Sequence, residues 1–192
     1  MNSVAAEKNQ LREFMLYKRN RISIRHAYEK SKRVQYNVIN SRQFLIAETV
    51  GVYFPLGSEV RTEEIIKVAI SSGKKVALPR VESGGMKFYQ INDKPFKSDD
   101  LVIGRFGIRE PIKKGGEVVK IDLLIVPGIV FDSQGSRIGY GRGYFDRFIV
   151  GAKVSFSLGL AYQFQLVSYR LPQSHIDQKI DGLSIETGIL YF

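Results

Sequence analysis

The chain contains no cysteine and only two histidines, His26 and His175. The first absence excludes disulfides, a thiolate nucleophile, iron-sulfur clusters and thiolate zinc sites. Neither imidazole has an evident partner in sequence, so each reads as a surface or core residue rather than a catalyst. Long apolar runs are missing as well. Met1 to Arg25 alternates charged and apolar side chains without a secretory core, which predicts no export. The longest apolar stretch, Leu123 to Phe131, is interrupted by Pro127 and Gly128 and falls short of the about 20 residues that span a bilayer. A cytoplasmic protein with no membrane partner is expected.

Acidic charge is scarce relative to basic charge. Nineteen Asp and Glu stand against 29 Lys and Arg, a net charge of +10, and a field of that sign draws nucleic acid, nucleotides or carboxylate-rich small substrates. Composition alone also allows a merely soluble basic surface. With 44% hydrophobic residues the 192-residue chain can bury roughly 70% of its unfolded surface, enough for a core without staples. Residues 1–192 are expected to form one domain.

The hydrophobic period changes along the chain. Residues 3–46 carry apolar side chains at helical spacing (Leu11, Phe14, Met15, Ile22), with Ser23 placed to cap a second helix running to Ile39 and a short third segment over Ser41 to Ala47. Thr49 to Phe54 is β-branched and aromatic and closes at Pro55, as a strand does. Thr62 with Glu63 and Glu64 marks a helix start, and Gly73 its stop. Lys75 to Pro79 and Met86 to Ile91 read as strands, Asn92 to Lys120 as mostly loop with one short strand. Asp122 to Val126, apolar on both faces, reads as a buried parallel strand; Lys153 to Ala161 is another, and Leu183 to Phe192 gives one or two edge strands. Strands separated by helices predict an α/β fold, a mostly parallel sheet flanked by helices on both faces, preceded by an N-terminal helical segment.

The chemistry concentrates after Asp122 to Val126. There the glycines Gly135, Gly139, Gly141 and Gly143 precede a helical pattern that begins at Tyr144, and Arg137, Arg142 and Arg147 lie in the same stretch. Glycines let backbone amides converge on an anion, and a helix N-terminus adds about half a positive charge. The spacing is neither a P-loop, which needs Gly-Lys-Ser/Thr, nor the dinucleotide fingerprint, because Tyr144 occupies its third glycine. A tight turn would use the glycines for geometry only; the surrounding arginines favour phosphate. Asp146, in the first helical turn, either complements the dipole or holds Mg²⁺ beside a phosphate. Lys8, Arg12 and Arg19 make one basic stripe at helical spacings of four and seven. Glu59 with Thr62 follows a strand end, where open α/β sheets place ligands. Asp177 and Asp181 either share a cation or are surface charges. An RNA-binding module and a noncatalytic nucleotide sensor are the rival readings of these features, the first weakened by the absence of any RNP, KH or zinc-finger pattern.

Taken in order, the pieces resemble the 5-formyltetrahydrofolate cyclo-ligase family. The resemblance rests on Lys8-x-x-x-Arg12, Tyr53-x-Pro55 with Glu59-x-x-Thr62, Leu78-Pro79, Gly107-Ile108-x-Glu110-Pro111, and Val126-Pro127-Gly128 through Gly139-Tyr140-Gly141-x-Gly143-Tyr144-x-Asp146-Arg147. The departures are Arg142, Phe145, the Ile176 that separates His175 from Asp177, and Thr187, which lies farther along than in relatives. The resemblance implies that Lys8, Arg12 and the run Arg137, Ile138, Gly139, Tyr140, Gly141, Arg142, Gly143, Tyr144, Phe145, together with Arg147, bind ATP. It implies that Phe54, Glu59 and residues Tyr140 to Tyr144 meet the folate, and that Asp146 and Asp177 hold Mg²⁺. The implied reaction is ATP-dependent closure of 5-formyltetrahydrofolate to 5,10-methenyltetrahydrofolate through phosphorylation of the formyl oxygen. It needs no dedicated nucleophile, transition-state charge being met by Lys8, Arg142 and Arg147. The expected partners are ATP and a folate that carries one or several glutamates, with no nucleic acid and no second copy of the chain.

Overall fold

A computed structural model describes residues 4–91, 101–104, 107, 109–112 and 115–192. Residues 92–100 and 113–114 of the expected loop, Ile108 of the Gly-Ile-x-Glu-Pro pattern, and residue 3 at the expected helix start lie outside the described residues. Three helices open the chain: α1 (Val4–Asn20), α2 (Ile24–Ile39) and α3 (Arg42–Ile46). Ser23 accepts from the His26 amide and Ser41 from the Phe44 amide, so both serines cap the helices that follow them. Strand β1 (Thr49–Gly51), helix α4 (Glu63–Ser71), and strands β2 (Lys75–Glu82) and β3 (Gly85–Gln90) come next. Thr62 makes no side-chain cap. Its hydroxyl donates to the Tyr53 carbonyl at 2.9 Å, and Gln35 of α2 takes over, accepting from the Glu64 amide at 2.9 Å. Gly73 ends α4 at φ +74, the left-handed conformation its position requires.

Strands β4 (Leu101–Ile103) and β5 (Arg109–Pro111) form a separate antiparallel pair where one short strand was expected. Then follow β6 (Lys120–Val126), β7 (Val130–Asp132), β8 (Arg137–Ile138), α5 (Tyr144–Gly151), β9 (Lys153–Leu160), a 3-10 turn at Gln163–Gln165, β10 (Leu166–Val167), β11 (Gly182–Ile185) and β12 (Gly188–Tyr191). The main sheet has the order β12-β11-β9-β6-β1-β2-β3. Its inner five strands are parallel, and β3 and β12 close the two edges antiparallel. Of the two strands expected near the C-terminus only β12 is an edge; β11 pairs on both sides.

Alternation along the buried strands feeds two cores. Val50, Val76, Leu123, Ile125 and Leu158 pack with Val34 and Val38 of α2, Phe44 of α3, and Ile65, Ile66 and Ala69 of α4. Ala77, Phe88, Leu124, Val126 and Leu183 face the other way, against Phe148 and Ile149 of α5. A third cluster joins Met15 and Leu11 of α1 to Ile129, Val130, Ile138 and Leu171. It seats α1 on the small sheet β10-β7-β8, whose short strands the sequence pattern does not announce. From β1 the chain steps to β2 on one side and to β6, β9 and β11 on the other. The crevice outside the carboxyl ends of β1 and β6 is therefore the place where such sheets bind ligands.

Candidate functional site

Lys8, Arg12, Met15 and Arg19 recur at intervals of four, three and four, one face of α1, and that face lies toward the loop after β8. Met15 and Arg19 are the buried residues of the helix. The Lys8 ammonium pairs with the Asp177 carboxylate, and Arg12 donates from Nε to the Gly139 carbonyl at 2.7 Å. Arg19 donates from Nη2 to the Tyr140 hydroxyl at 2.6 Å. The sequence stripe is thus an inward row, in which Arg12 and Arg19 reach the glycine loop and Lys8 reaches Asp177.

Gly141 and Gly143 adopt φ +90 and +63, conformations that L side chains rarely take. A Cβ on Gly141 would stand 3.4 Å from the Arg12 guanidinium, and one on Gly143 would stand 3.0 Å from that of Arg147. Gly143 caps α5 without any side-chain acceptor, so the first amides of that helix keep their donors for another group. Arg147 lies over the Tyr144 ring at 5.3 Å, and the two line a cavity of about 240 Å³ with Lys87 and Glu117. Ile138 and Phe145 send their side chains into core clusters, so only their main chain belongs to the loop. Arg142 is exposed at the tip.

One end of the loop holds an ion-pair cluster. Arg137 donates from Nη2 to Asp146 Oδ1 at 3.0 Å and from Nη1 to the Gln178 carbonyl, and the Gln178 amide donates to the same Asp146 oxygen at 3.0 Å. Burial opposes ionisation of Asp177, but hydrogen bonds from Lys8 and from Ser174 outweigh it and hold the carboxyl below its ordinary value. Asp181 is not part of the cluster: it accepts from the Ser157 amide and hydroxyl at 2.7 and 2.6 Å, a structural tie between β9 and β11. His175 is exposed and His26 sits in the first turn of α2. Among the described residues no three His, Asp or Glu side chains gather as a metal cage. Magnesium commonly takes one or two carboxylates and completes its shell with water and substrate phosphates. The oxygen donors of Asp146 and Asp177 fit a cation of that kind.

The other end is buried. Glu59, 6% exposed, accepts from the Leu56 amide at 2.8 Å. Burial pushes its carboxyl above the ordinary value, with the Leu56 amide, the charge of Arg19 and the Tyr140 hydroxyl working the other way. Burial and the nearby Glu59 charge likewise raise the Tyr140 phenol. Phe54 is half-buried beneath the Arg109 guanidinium of β5, 5.9 Å from its ring. The structure therefore brings Glu59 to Tyr140, whereas Tyr144 and Arg147 face the α5 cavity. A larger hollow of about 860 Å³ between α2 and α4 contains no residue of the loop and carries charges of both signs.

Arg19 belongs to the basic stripe read from the sequence but carries no ligand role there, and Arg109 beside Phe54 is not singled out by the sequence at all. Arg19 had a signal, since it completes the Lys8, Arg12, Met15 series; Arg109 had none, because β5 is joined to the crevice only by tertiary packing.

A family model described as the 5-formyltetrahydrofolate cyclo-ligase family matches residues 4–186. Two proteins named probable 5-formyltetrahydrofolate cyclo-ligase are similar to this chain: one from Caenorhabditis elegans is 29% identical, covering 100% of this chain and 98% of the relative, and one from Schizosaccharomyces pombe is 30% identical, covering 94% and 95%. The solved 5,10-methenyltetrahydrofolate synthetase of Aquifex aeolicus superposes with a TM-score of 0.83 at 31% identity, covering 96% of this chain and 92% of that one. Since that family model spans nearly the whole chain, this chain belongs to the 5-formyltetrahydrofolate cyclo-ligase family.

Proposed function

We propose that this protein is an ATP-dependent ligase that closes 5-formyltetrahydrofolate to 5,10-methenyltetrahydrofolate, releasing ADP and phosphate. The observation that carries the assignment of parts is the glycine loop itself, whose two ends offer a cationic site and a buried polar site side by side. Gly139 to Gly143 and the uncapped α5 amides supply donors for phosphate oxygens, with Lys8, Arg12, Arg142 and Arg147 as the surrounding charge. Glu59, Phe54 and Tyr140 form the folate side.

The formyl group is an amide, so its oxygen is a poor leaving group. Transfer of the γ-phosphoryl of ATP to that oxygen breaks the bond to ADP and makes phosphate the leaving group. N10 then attacks the activated carbon, the C–O bond breaks, phosphate departs and the N10 proton passes to solvent. The chain contributes positioning and charge neutralisation, which matches a site rich in amides and cations and without cysteine. Asp146 and Asp177 would hold Mg²⁺, which would neutralise charge on the phosphates when bound. The +10 net charge favours approach of both anionic substrates, including a folate with several glutamates, and this steering weakens with salt. Among the described residues no helix is long and apolar enough to cross a membrane. A cytoplasmic, monomeric, one-domain enzyme that does not act on nucleic acid completes the reading.

Purified protein with Mg-ATP and 5-formyltetrahydrofolate is expected to develop the near-ultraviolet absorbance of the methenyl product together with stoichiometric ADP. ATP bound without either product would make the protein a nucleotide sensor and end this proposal.

A further inference from the structure

Arg19 is 2% exposed, and among the described ion pairs it has none. Burying a guanidinium is costly unless its donors are used. Here they go to three separate segments. Nε donates to the Ser58 hydroxyl at 3.1 Å, on the loop after β1; Nη1 to the Gly128 carbonyl at 3.3 Å, just after β6; and Nη2 to the Tyr140 hydroxyl at 2.6 Å, in the glycine loop. Ser58 in turn donates to Asn20 at 2.6 Å, tying the end of α1 to the same place. One side chain thus links α1 to the carboxyl ends of both strands that flank the crevice and to the loop that crosses it. Packing alone would be met by a methionine of similar length, and a neutral donor could not serve three acceptors that diverge in this way.

We propose that Arg19 is a positioning residue for the folate half of the reaction: its three hydrogen bonds set the Tyr140 hydroxyl and the Ser58 to Glu59 turn as a preformed surface, while Arg12 and Lys8, about two and three turns earlier on the same helix face, serve the nucleotide half. The inference rests on the ligase reading. It divides α1 by height, so that its two ends act on different substrates. Arg19 touches no reacting atom; its effect passes through Tyr140 and Glu59, and a loss of the guanidinium should appear in folate binding before it appears in ATP binding.

The test is steady-state kinetics of the full chain with each substrate varied in turn, on Arg19→Met, Arg19→Lys, Tyr140→Phe and the Arg19→Met/Tyr140→Phe double variant, with folding checked by circular dichroism. Arg19→Met is expected to raise KM for 5-formyltetrahydrofolate about ten-fold and leave KM for Mg-ATP within about two-fold, by loss of one charged buried hydrogen-bond set. Arg19→Lys is expected to fall between, and Tyr140→Phe to add nothing once Arg19 is gone. Equal rises in both KM values, or a double variant worse than Arg19→Met by the full effect of Tyr140→Phe, would overturn the proposal. If Arg19→Met does not fold, Arg19→Lys and Tyr140→Phe decide it, an unchanged folate KM in both counting against it. Wild-type protein that makes no methenyl product defeats the ligase reading itself, whereas normal turnover with an unmoved folate KM defeats only the role of Arg19.

Discussion

Asp177 and Glu59 are both approached by a basic residue of α1, yet the two carboxyls are driven in opposite directions. Asp177 meets Lys8 in direct contact and is also fed by Ser174, and it is held below its ordinary value. Glu59 lies deeper, accepts from the Leu56 amide, and feels the charge of Arg19 with no ion pair among the described residues; burial wins and its carboxyl is pushed up. Contact and hydrogen bonding decide the first case, desolvation the second. The difference matches the division of labour proposed for the loop, a charged end for metal and phosphates and a drier end for a planar, amide-bearing ring.

The change expected to break this contrast most severely is Asp146→Asn. Arg137 is almost fully buried, with 3% of its side chain exposed, and would lose its carboxylate while keeping the Gln178 carbonyl. Breaking a pair of this kind costs about 3 kcal/mol, less where one partner is part-exposed as Asp146 is. A fall in melting temperature together with a drop in kcat of about 100-fold is expected, read by thermal denaturation and by product absorbance. Full activity in the variant would remove Asp146 from the nucleotide end. Lys8→Ala comes next, with KM for Mg-ATP raised about ten-fold and KM for folate little changed. A variant with wild-type ATP kinetics would return Lys8 to the role of a surface ion pair.

Glu59→Gln sharpens the comparison from the other side. The amide can keep the hydrogen bond from Leu56, so folate affinity measured by calorimetry is expected to fall about ten-fold while ATP binding stays as it was. Stability should move the opposite way. Because the folded-state carboxyl of Glu59 titrates above its unfolded value, the unfolded chain loses this proton first as pH rises; stability falls through that window, and the penalty is complete above the folded value. Glu59→Gln is therefore expected to be more thermostable than wild type at neutral pH and to lose the advantage in acid. Asp177→Asn should show the mirror image. Its depressed value contributes stability that is present above the ordinary aspartate range and vanishes as pH falls through the folded value, so this variant is weaker at neutral pH and converges with wild type in acid. Melting curves of the three proteins across pH with parallel profiles would contradict both assignments.

The parts of this arrangement that could be read from residues are those built from local signals. Ser23, Gly73 and the apolar run of β6 announced a cap, a stop and a buried strand because each acts within a turn of itself. Gly139, Gly141, Gly143 and the arginines announced the loop for the same reason. Thr62 did announce a helix start, but the cap comes from Gln35, 29 residues away, which no local pattern encodes. Strands β7, β8 and β10 went unread because two of them are only two residues long and gain their stability from α1 through Met15 and Ile138. Strand β1 ends at Gly51, shorter than expected, although the Val52 amide still donates to the Ala77 carbonyl at 2.9 Å; the ladder on its other side stops at Leu124, where the crevice opens. The stripe on α1 was legible as a row of cations, and its sense was not, since spacing fixes a face but not whether water or a loop lies against it.

Arg147→Ala tests the smallest difference, between the two ends of the phosphate loop itself. Arg147 is exposed, lies over Tyr144 and stands beside Gly143, so it can follow a phosphate or leave it without disturbing the core. Exposed charges are screened by salt, and each contributes less than about 1 kcal/mol to binding an anion at moderate ionic strength. KM for Mg-ATP is expected to rise about three- to five-fold at low salt and to approach wild type as salt is added, with the melting temperature unchanged. A rise that persists undiminished at high salt would mean that Arg147 is drawn into a desolvated contact when nucleotide binds, and the cavity it shares with Tyr144, Lys87 and Glu117 would then belong to the nucleotide as well.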